Sequence, residues 1–423
     1  MEKNAGKDFE TMAEARPIQG VAVIGQSGGP TCVINQSLVG ACLALRKSRT
    51  ITGVYGARHG VAGMLAQDFI DLKKEDPRLL RAVANTPSAG LGSVRKKVTP
   101  EECRRIFEVF RKHDVRYFFY IGGNDSADTA HIVNEMAREE GYELRAFHIP
   151  KTIDNDLRVT DHCPGYGSAA KFVAQAFMGD DLDNRSIPGI KINIVMGRHA
   201  GFLTAASVLG RTRKDDGPHL VYVPERPFDT DRFVVDVEGV FRKLGRCVIA
   251  ASEGISDANG ELILHKFANP SEVDSHGNVQ LSGTGALGDL LADLVKRRLG
   301  EQFGKLRVRA DTFGYLQRCF PGVVSPVDQK EAFEVGEAAA KFALSGNVDG
   351  SVAIRRKKGK TYAVEYFLTS LNTVAKETTE MPDHFISKDG NNVTKAFVNY
   401  ALPLVGELPP IAALKGKAVP KKR

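Results

Sequence analysis

Short apolar runs recur along the chain, and each is followed by a polar or glycine-rich turn and then by apolar residues at helical spacing. GVAVIG at 20–25, VRYFFYI at 115–121 and LRAFHIP at 144–150 are typical of buried strands. A helix is predicted from about Val33 to Leu45 after the first run, and another from about 127 to 140 after the second. Strands of this length that alternate with helices predict parallel sheets covered by helices on both faces.

A similar pattern resumes after residue 189. IKINIVM at 190–196, HLVYVPE at 219–225 and RCVIAASEG at 246–254 predict further strands, with a small-residue helix at 202–209. VAIRRKKGKTYAVEYF at 352–367 predicts an antiparallel hairpin that turns near Gly359. The predicted fold class is α/β, with two Rossmann-like three-layer α/β/α lobes, mostly parallel sheets and a cleft between the lobes.

Composition excludes several classes of protein. The 423 residues are 42% hydrophobic and 26% charged, which is incompatible with an intrinsically disordered chain. The formal net charge is +7, but Lys415, Lys417, Lys421, Lys422 and Arg423 carry five of the positive charges. The rest of the chain is therefore close to neutral, and no nucleic-acid partner is expected.

Cysteine usage and hydropathy point to a cytoplasmic protein. The six cysteines show no metal-binding or disulfide-framework spacing, which fits a reducing compartment. The first residues have no apolar stretch of the kind found in signal peptides, and no apolar run approaches the roughly 18–20 residues of a membrane span. We therefore expect a soluble protein without a membrane partner.

Four glycine-rich or polar segments follow predicted strands, where parallel α/β sheets bind their ligands. They are SGG at 27–29, GGNDS at 122–126, PKTIDND at 150–156 and MGRHAG at 196–201. Paired glycines let backbone amides approach an anion at a helix N-terminus. No GxGxxG or GxxxxGK[ST] stands at these turns, which disfavours a dinucleotide fold or a P-loop nucleotidase. Taken alone, SGG is equally an ordinary turn, and Asp125 is equally a helix N-cap.

The TIDND segment carries two carboxylates, Asp154 and Asp156, spaced two residues apart. In an extended segment this spacing points both side chains the same way. Such a pair can divide the work, one carboxylate accepting a proton while the other supports that base or a metal ion. As a turn alone, DND would be unremarkable.

These segments, together with VPE at 223–225 and GYLQR at 314–318, occur in an order and spacing that resembles the phosphofructokinase family from about residue 19 to 345. The resemblance is stronger to the diphosphate-dependent branch. It implies a Mg²⁺-dependent, reversible phosphoryl transfer from diphosphate to the 1-hydroxyl of fructose 6-phosphate.

The resemblance also implies residue roles, with Asp154 as the general base that takes the proton from the sugar hydroxyl. The residues expected to act in catalysis are Asp154, Lys151, Asp125, Arg198 and Thr152. Those expected to bind diphosphate are Gly29, Arg95, Asp125 and Lys151. Those expected to bind the sugar phosphate are Thr152, Ile153, Asp154, Met196, Gly197, Arg198, Glu225, Arg309, Tyr315 and Arg318. Asn124 and Asp156 are expected at the metal ion.

Two positions indicate the phosphoryl donor. ATP-using relatives have GGDGS and PGTIDND, with glycine where this chain has Asp125 and Lys151. An aspartate at the first position would crowd and repel the α-phosphate of a nucleotide, and a lysine at the second would compensate the charge of a diphosphate. The alternatives are an ATP-dependent sugar-phosphate kinase and, more remotely, a catalytically silent sugar-phosphate sensor. The intact TIDND argues against the sensor.

Three positions depart from related enzymes. Asn124 stands where many members have an aspartate near the metal, and Tyr315 replaces the histidine of bacterial ATP-dependent enzymes, a change associated with the diphosphate branch. Gly189 stands where those enzymes have an arginine that reaches across a subunit boundary. This glycine favours a homodimer without allosteric regulation over a regulated tetramer.

The predicted domain division combines the strand and helix pattern with the resemblance. Residues 1–17 are expected to form a mobile arm, and 391–423 a C-terminal segment with a basic tail. Residues 18–165 with about 319–390 are expected to form the diphosphate-binding lobe, and 166–318 the fructose 6-phosphate-binding lobe.

Overall fold

The computed structural model describes residues 18–267, 285–375, 378–414, 416 and 419–421, and these residues form two sheets flanked by helices. The strands are β1 Gly20–Gln26, β2 Ile51–Ala57, β3 Phe69–Asp71, β4 Val115–Gly122, β5 Arg145–Pro150, β6 Ile190–Val195, β7 Leu220–Tyr222, β8 Cys247–Ser252, β9 Val308–Thr312, β10 Asp349–Arg356 and β11 Val364–Thr369. The helices are α1 Ile34–Leu45, α2 Val61–Ala66, α3 Pro77–Ala84, α4 Pro100–Lys112, α5 Asn124–Glu139, α6 Tyr166–Ser186, α7 Phe202–Ala205, α8 Thr230–Leu244, α9 Ile263–Phe267, α10 Ala286–Phe303, α11 Leu316–Cys319, α12 Pro326–Leu344, α13 Leu371–Ala375 and α14 Lys395–Val405.

The first sheet has seven strands in the order β11-β10-β5-β4-β1-β2-β3. Its inner strands are parallel, and β1, β4 and β5 are buried almost throughout, as their continuous apolar runs predict. The hairpin expected near Gly359 is present as the antiparallel pair β10–β11. A second antiparallel edge strand, β3, was not predicted, because three residues carry no readable alternation.

Helices cover both faces of this sheet. The N-terminus of α4 has the capping box that its sequence predicts, since Thr99 and Glu102 each bond the other's backbone amide. On the opposite face, α1 packs closely against α12. Glycines on both helices allow this approach, because a Cβ at Gly40 would lie 2.1 Å from the carbonyl oxygen of Phe333 and one at Gly336 would lie 2.1 Å from that of Ser37.

The second sheet has four parallel strands in the order β7-β8-β6-β9. Helices α8 and α10 bury one apolar cluster against it, and α6 contributes to another. The helix predicted at 202–209 is present as a single α-helical turn, α7, followed by a 3₁₀ helix, Ala206–Gly210. The α/β class with mostly parallel sheets is confirmed.

The division of the strands between the two sheets is consistent with the two predicted lobes. The first sheet takes its strands from residues 20–150 and 349–369, and the second from 190–312. The proposed functional division of the chain stays a prediction, and the arm at 1–17 lies outside the described residues. Helix α14, within the predicted C-terminal segment, packs its apolar side into the cluster that contains α6. Among the described helices, none is long and apolar enough to cross a membrane.

Candidate active site

The turns that follow β1, β4 and β5 meet at one edge of the first sheet and enclose a cavity of about 230 Å³. Parallel strands bring these turns together because their carboxyl ends share an edge. The lining residues are Ser27, Gly28, Gly29, Val94, Arg95, Lys96, Gly123, Asn124, Asp125, Ser126, Lys151, Thr152, Asp154 and Asp156. Three of the four segments singled out in the sequence therefore contribute to one pocket.

The SGG turn is held by the neighbouring loop at 92–95. The amide of Gly28 donates to the carbonyl of Val94 at 3.0 Å, and Oγ of Ser93 donates to the carbonyl of Gly28 at 2.6 Å. Gly28 has φ of 75°, a backbone conformation that favours glycine. These contacts fix the turn against the cavity.

The GGNDS turn opens directly into α5, which begins at Asn124 rather than near residue 127. Gly123 is the N-cap, and Asp125 lies in the first turn with an exposed side chain. The amide of Asp125 donates to Oδ1 of Asn124 at 3.0 Å. The interpretation of Asp125 as an N-cap is therefore wrong, and its carboxylate lines the cavity instead.

Below this turn, the buried His148 ties three strands together. Its Nδ1 lies 2.8 Å from Oγ of Ser351, and its Nε2 lies 2.9 Å from the carbonyl oxygen of Gly122. The same carbonyl accepts the amide of Lys151 at 2.9 Å. Burial lowers the pKa of His148 to about 4, so the ring is a neutral hydrogen-bonding group.

Lys151 is buried at the back of the cavity, where its ammonium donates to the carbonyl of Gly29 at 2.6 Å. Burial, together with the charges of Arg318 and Arg95, lowers the pKa of Lys151 to about 7. A bound anion would offset these unfavourable contributions. Lys151, Arg95 and Arg318 thus form a group of neighbouring cations that suits a phosphate ligand.

The TIDND segment bends, so side-chain alternation along an extended segment does not apply to it. Asn155, between the two acids, has φ of 61°, in the left-handed region, and the amide of Asp154 donates to Oγ1 of Thr152 at 3.0 Å. The two carboxylates still line the same cavity. The bend rather than strand alternation brings them together.

The two carboxylates affect each other's ionisation. Burial raises the pKa of Asp154, although Arg318 and Lys151 oppose the shift. Burial and the negative charge of Asp154 raise the pKa of Asp156 to about 7. Like charges this close are stable only when they share a proton or a cation.

The oxygen donors suit magnesium. In the described part of the chain, no three His, Cys, Asp or Glu side chains form a cluster that could hold a metal by themselves. Magnesium, however, is commonly held by one or two carboxylates together with substrate phosphates. Asp154, Asp156 and the amide oxygen of Asn124 at the rim of one cavity fit that pattern.

The turn after β6 contains MGRHAG and is held by hydrogen bonds to two neighbouring side chains. The amide of Met196 donates to Oε1 of Gln317 at 3.4 Å, and Oγ of Ser252 donates to the carbonyl of Gly197 at 2.6 Å. Gly197 has φ of 128°, which a side chain would strain. The turn thereby brings His199 close enough to the TIDND segment for the charge of Asp154 to act on it, and Arg198 is next to His199 in the same turn.

Glu225, in the VPE segment, has one hydrogen-bonded carboxylate oxygen and one without a partner in the described part of the chain. Its Oε1 accepts the amides of Gly201 at 2.7 Å and Met381 at 2.9 Å. Its Oε2 is buried and has no hydrogen-bond partner among the described residues. Burial raises the pKa of Glu225.

Arg318 lies between the two groups of turns. A Cβ at Gly29 would lie 3.3 Å from Cζ of Arg318, and this guanidinium stacks 4.6 Å from the ring of Tyr315. Arg318 therefore reaches the SGG turn as well as the side where the sugar phosphate was expected.

Arg309 lies elsewhere. It is the second residue of β9, paired in register with Lys191 near the amino ends of the strands, and its side chain is exposed. Arg309 does not line the cavity of the first sheet, and its expected role in binding the sugar phosphate stays a prediction.

A family model described as Phosphofructokinase matches residues 21–343. This chain belongs to the phosphofructokinase family. The pyrophosphate–fructose 6-phosphate 1-phosphotransferase of Rhodospirillum rubrum is 55% identical over 95% of this chain and 98% of its own length. The protein of the same name from Methylococcus capsulatus is 38% identical over 95% of this chain and 97% of its own length. The crystal structure of a pyrophosphate-dependent phosphofructokinase from Marinobacter aquaeolei superposes with a TM-score of 0.81 at 34% identity, covering 95% of this chain and 98% of that one.

Some residues at the site of this phosphofructokinase were missed in the sequence. Val94, Lys96 and Ser126 line the cavity, and His199 lies beside Asp154. Lys96 had a readable signal, because it continues the basic run that begins at Arg95. Ser126 and His199 lie within the GGNDS and MGRHAG segments, which the sequence indicated without giving these two residues a role. Val94 carries no signal in the sequence alone, since only packing brings it to the cavity.

Proposed function

We propose that this protein is a diphosphate-dependent 6-phosphofructokinase, which reversibly transfers a phosphoryl group from diphosphate to the 1-hydroxyl of fructose 6-phosphate. The observation that carries the proposal is the buried ammonium of Lys151, bonded to Gly29 and facing the cavity that Asp154 and Asp156 line. Full-length relatives that carry this enzyme name support it.

The size and charge of the cavity favour diphosphate over a nucleotide. Its volume of about 230 Å³ is below the roughly 300–1,000 Å³ typical of pockets for larger organic ligands. Asp125 lines it with a negative charge where a nucleotide would place its α-phosphate. Lys151 supplies the positive charge that a terminal diphosphate oxygen needs, and Arg95 adds to it. Gly29 leaves room for the donor to approach the backbone.

Asp154 is the proposed general base. Its raised pKa suits a group that must take a proton at neutral pH. As the sugar 1-oxygen forms its bond to phosphorus, the bond from phosphorus to the bridging oxygen breaks and the hydroxyl proton passes to Asp154. Phosphate leaves with the bridging electrons, while Lys151 and Arg198 stabilise the charge on the transferring group. In reverse, Asp154 returns the proton to the sugar oxygen.

The sugar phosphate would lie across the turn that follows β6. Glu225, in the segment after β7, would accept a sugar hydroxyl there. Arg318, stacked on Tyr315, offers a planar donor for phosphate oxygens. The backbone of Met196 and Gly197, with Thr152 and Ile153 on the facing segment, would complete this side.

The metal ion that we propose is Mg²⁺, held by Asp156 and Asn124 together with the diphosphate. When bound, it would supply positive charge to the phosphoryl oxygens. Asn124 contributes an uncharged oxygen, so most of the protein's negative charge at the metal comes from the TIDND pair.

We further propose a cytoplasmic homodimer. The described cysteines are all free thiols, which supports a reducing compartment. At Gly189, a Cβ would lie 2.6 Å from the carbonyl oxygen of Arg307, so this position has no room for an arginine directed at a neighbouring subunit.

The decisive experiment is a coupled assay with fructose 6-phosphate and Mg²⁺ that compares diphosphate with ATP. We expect turnover with diphosphate and little or none with ATP. The variant in which both Asp125 and Lys151 are replaced by glycine should lose diphosphate activity and gain measurable ATP activity. Equal wild-type rates with both donors would contradict the donor assignment, and no turnover with either would contradict the proposed function.

A further inference from the structure

The C-terminal part of the chain contacts the site, although it lies beyond the residues 21–343 that the family model matches. The segment concerned is Thr378–Met381 together with α14, which we call the C-terminal clamp. The amide of Thr379 donates to the carbonyl of Asp156 at 2.7 Å, and Thr378 forms an antiparallel bridge with Leu157. The amide of Met381 donates to Glu225 at 2.9 Å. Both sides of the cleft are thus tied to the same segment.

A third contact comes from α14. Nδ2 of Asn155 donates to the hydroxyl oxygen of Tyr400 at 2.8 Å. The other amide atom of Asn155, Oδ1, accepts the backbone amide of Cys163 at 2.9 Å. Asn155 is only 5% exposed, so both ends of its side chain are held inside the protein.

The position of Asn155 makes these contacts important. It lies between Asp154 and Asp156, and its φ of 61° produces the bend that turns both carboxylates into the cavity. Asparagine adopts the left-handed region more readily than most residues, but the region is still sparsely populated. A side chain bonded at both ends selects one orientation of this bend over its alternatives.

Tyr400 is itself firmly placed. Its hydroxyl donates to the carbonyl of Asp161 at 2.8 Å, so the oxygen is left to accept from Asn155. The guanidinium of Arg356 lies 4.9 Å from the centre of its ring, and the ring of Phe385 lies 5.2 Å away. The hydroxyl group of Tyr400 is therefore held in a fixed position from which it hydrogen-bonds to the TIDND segment.

We propose that the C-terminal clamp positions the catalytic carboxylates, and that it does so through the hydrogen bond between Tyr400 and Asn155. Tyr400 and Asn155 are positioning residues, because they act through Asp154 and Asp156. The inference rests on the proposed function, since it concerns the geometry of the same proton transfer.

The test is Tyr400→Phe, which removes the hydroxyl and keeps the ring. We expect kcat to fall about 10- to 100-fold in both directions, because a displacement of about 1 Å at a reacting group can lower the rate 10²-fold. The KM for fructose 6-phosphate should change less than twofold, since the sugar-binding groups remain. Tyr366→Phe is the matched control. Its hydroxyl donates to Glu334 at 2.7 Å, away from the cleft, and its kcat should equal that of the wild type.

Asn155→Gly provides an independent variant, because glycine adopts the left-handed conformation without strain and lacks both side-chain bonds. We expect it to lose kcat as Tyr400→Phe does, and the double variant to lose little more than Asn155→Gly alone. Circular dichroism melts show whether each variant is folded at the assay temperature.

Three results would overturn the proposal: wild-type kcat in Tyr400→Phe or Asn155→Gly, an equal loss in Tyr366→Phe, or independent losses that multiply in the double variant. A wild-type protein with no turnover would instead contradict the proposed function.

Discussion

Lys151 is the residue on which donor use depends most directly. Lys151→Ala would leave a bound diphosphate uncompensated beside Asp125 and remove the contact to Gly29. Loss of one such electrostatic contact commonly costs about 2.7–4 kcal/mol in transition-state stabilisation, so kcat with diphosphate should fall about 10²- to 10³-fold. Steady-state kinetics measure this effect. Lys74→Ala, at an exposed surface lysine, is the control, and full diphosphate activity in Lys151→Ala would contradict the assignment.

Asp154 supports the sharpest prediction at the scale of a residue. Asp154→Asn keeps the shape of the side chain but cannot accept the sugar proton. General-base catalysis contributes roughly 10²- to 10⁴-fold, so turnover should fall by at least that much in both directions while the affinity for fructose 6-phosphate changes little. Kinetics in each direction, with calorimetric titration of fructose 6-phosphate, measure both quantities. A variant that keeps more than about a tenth of wild-type turnover, or one that fails only in sugar binding, would show that Asp154 is not the base.

Among the elements, the pair α1–α12 depends on close backbone contact. In Gly40→Ala, the new methyl group would meet the carbonyl oxygen of Phe333, on the partner helix, at 2.1 Å. Overpacking of this kind typically destabilises a protein by about 1–3 kcal/mol, so the melting temperature should fall. Gly239→Ala, within α8, is the control, since its Cβ would meet nothing within 4 Å and alanine favours a helix by roughly 0.5–1 kcal/mol. Equal melting temperatures for the two variants would contradict this account of the helix packing.

His162 links the segment before α6 to α12. Its ring nitrogens lie 2.8 Å from Asp161 and 2.6 Å from Glu331, and these carboxylates overcome burial and raise the pKa of His162 to about 9. The pKa of His162 in the folded protein exceeds the usual 6.5, so the interaction of protonated His162 with the two carboxylates stabilises the fold. This stabilisation is complete below pH 6.5 and is lost as the pH rises through 9. The difference in pKa corresponds to about 3 kcal/mol.

We therefore expect wild-type stability to fall more steeply between pH 6.5 and 9.5 than that of His162→Gln. Urea unfolding at a series of pH values measures both slopes. Parallel slopes would mean that His162 is not protonated in the folded protein.

For the whole molecule, the prediction concerns regulation. Gly189 lies next to β6 at the edge of the second sheet away from the cavity, and its carbonyl accepts hydrogen bonds from Cys247 and Asn184. With no arginine at this position to link subunits, we expect a dimer with hyperbolic kinetics in fructose 6-phosphate, insensitive to phosphoenolpyruvate and nucleotides. Analytical ultracentrifugation and substrate titrations measure these properties. Sigmoidal kinetics relieved by an effector would contradict the prediction.

Much of this architecture follows from patterns that the chain carries locally. Buried parallel strands can be recognised in the sequence as continuous apolar runs, as in β1, β4 and β5. The capping box of α4 can be recognised from Thr99 and Glu102 alone. The turns that line the cavity are equally local, because glycine pairs and acids directly after a strand stand at its carboxyl end. For these features, the sequence contains both the residues and the reason for their placement.

Contacts between distant segments are different, because no local pattern encodes them. The spacing of the two acids in TIDND would point them the same way in an extended segment, whereas the chain bends at Asn155, whose side chain is bonded to Tyr400, 245 positions later. The resemblance gives Arg309 a role in sugar-phosphate binding, but only the register of β9 against β6 shows that it lies near the amino ends of these strands. The packing of the two sheets decides whether a side chain can cross the cleft, as Arg318 does to approach Gly29. It also decides which groups are buried, and burial lowers the pKa of Lys151. The folded chain sets these distances and ionisation states, since each arises from groups that are brought together only when the core forms.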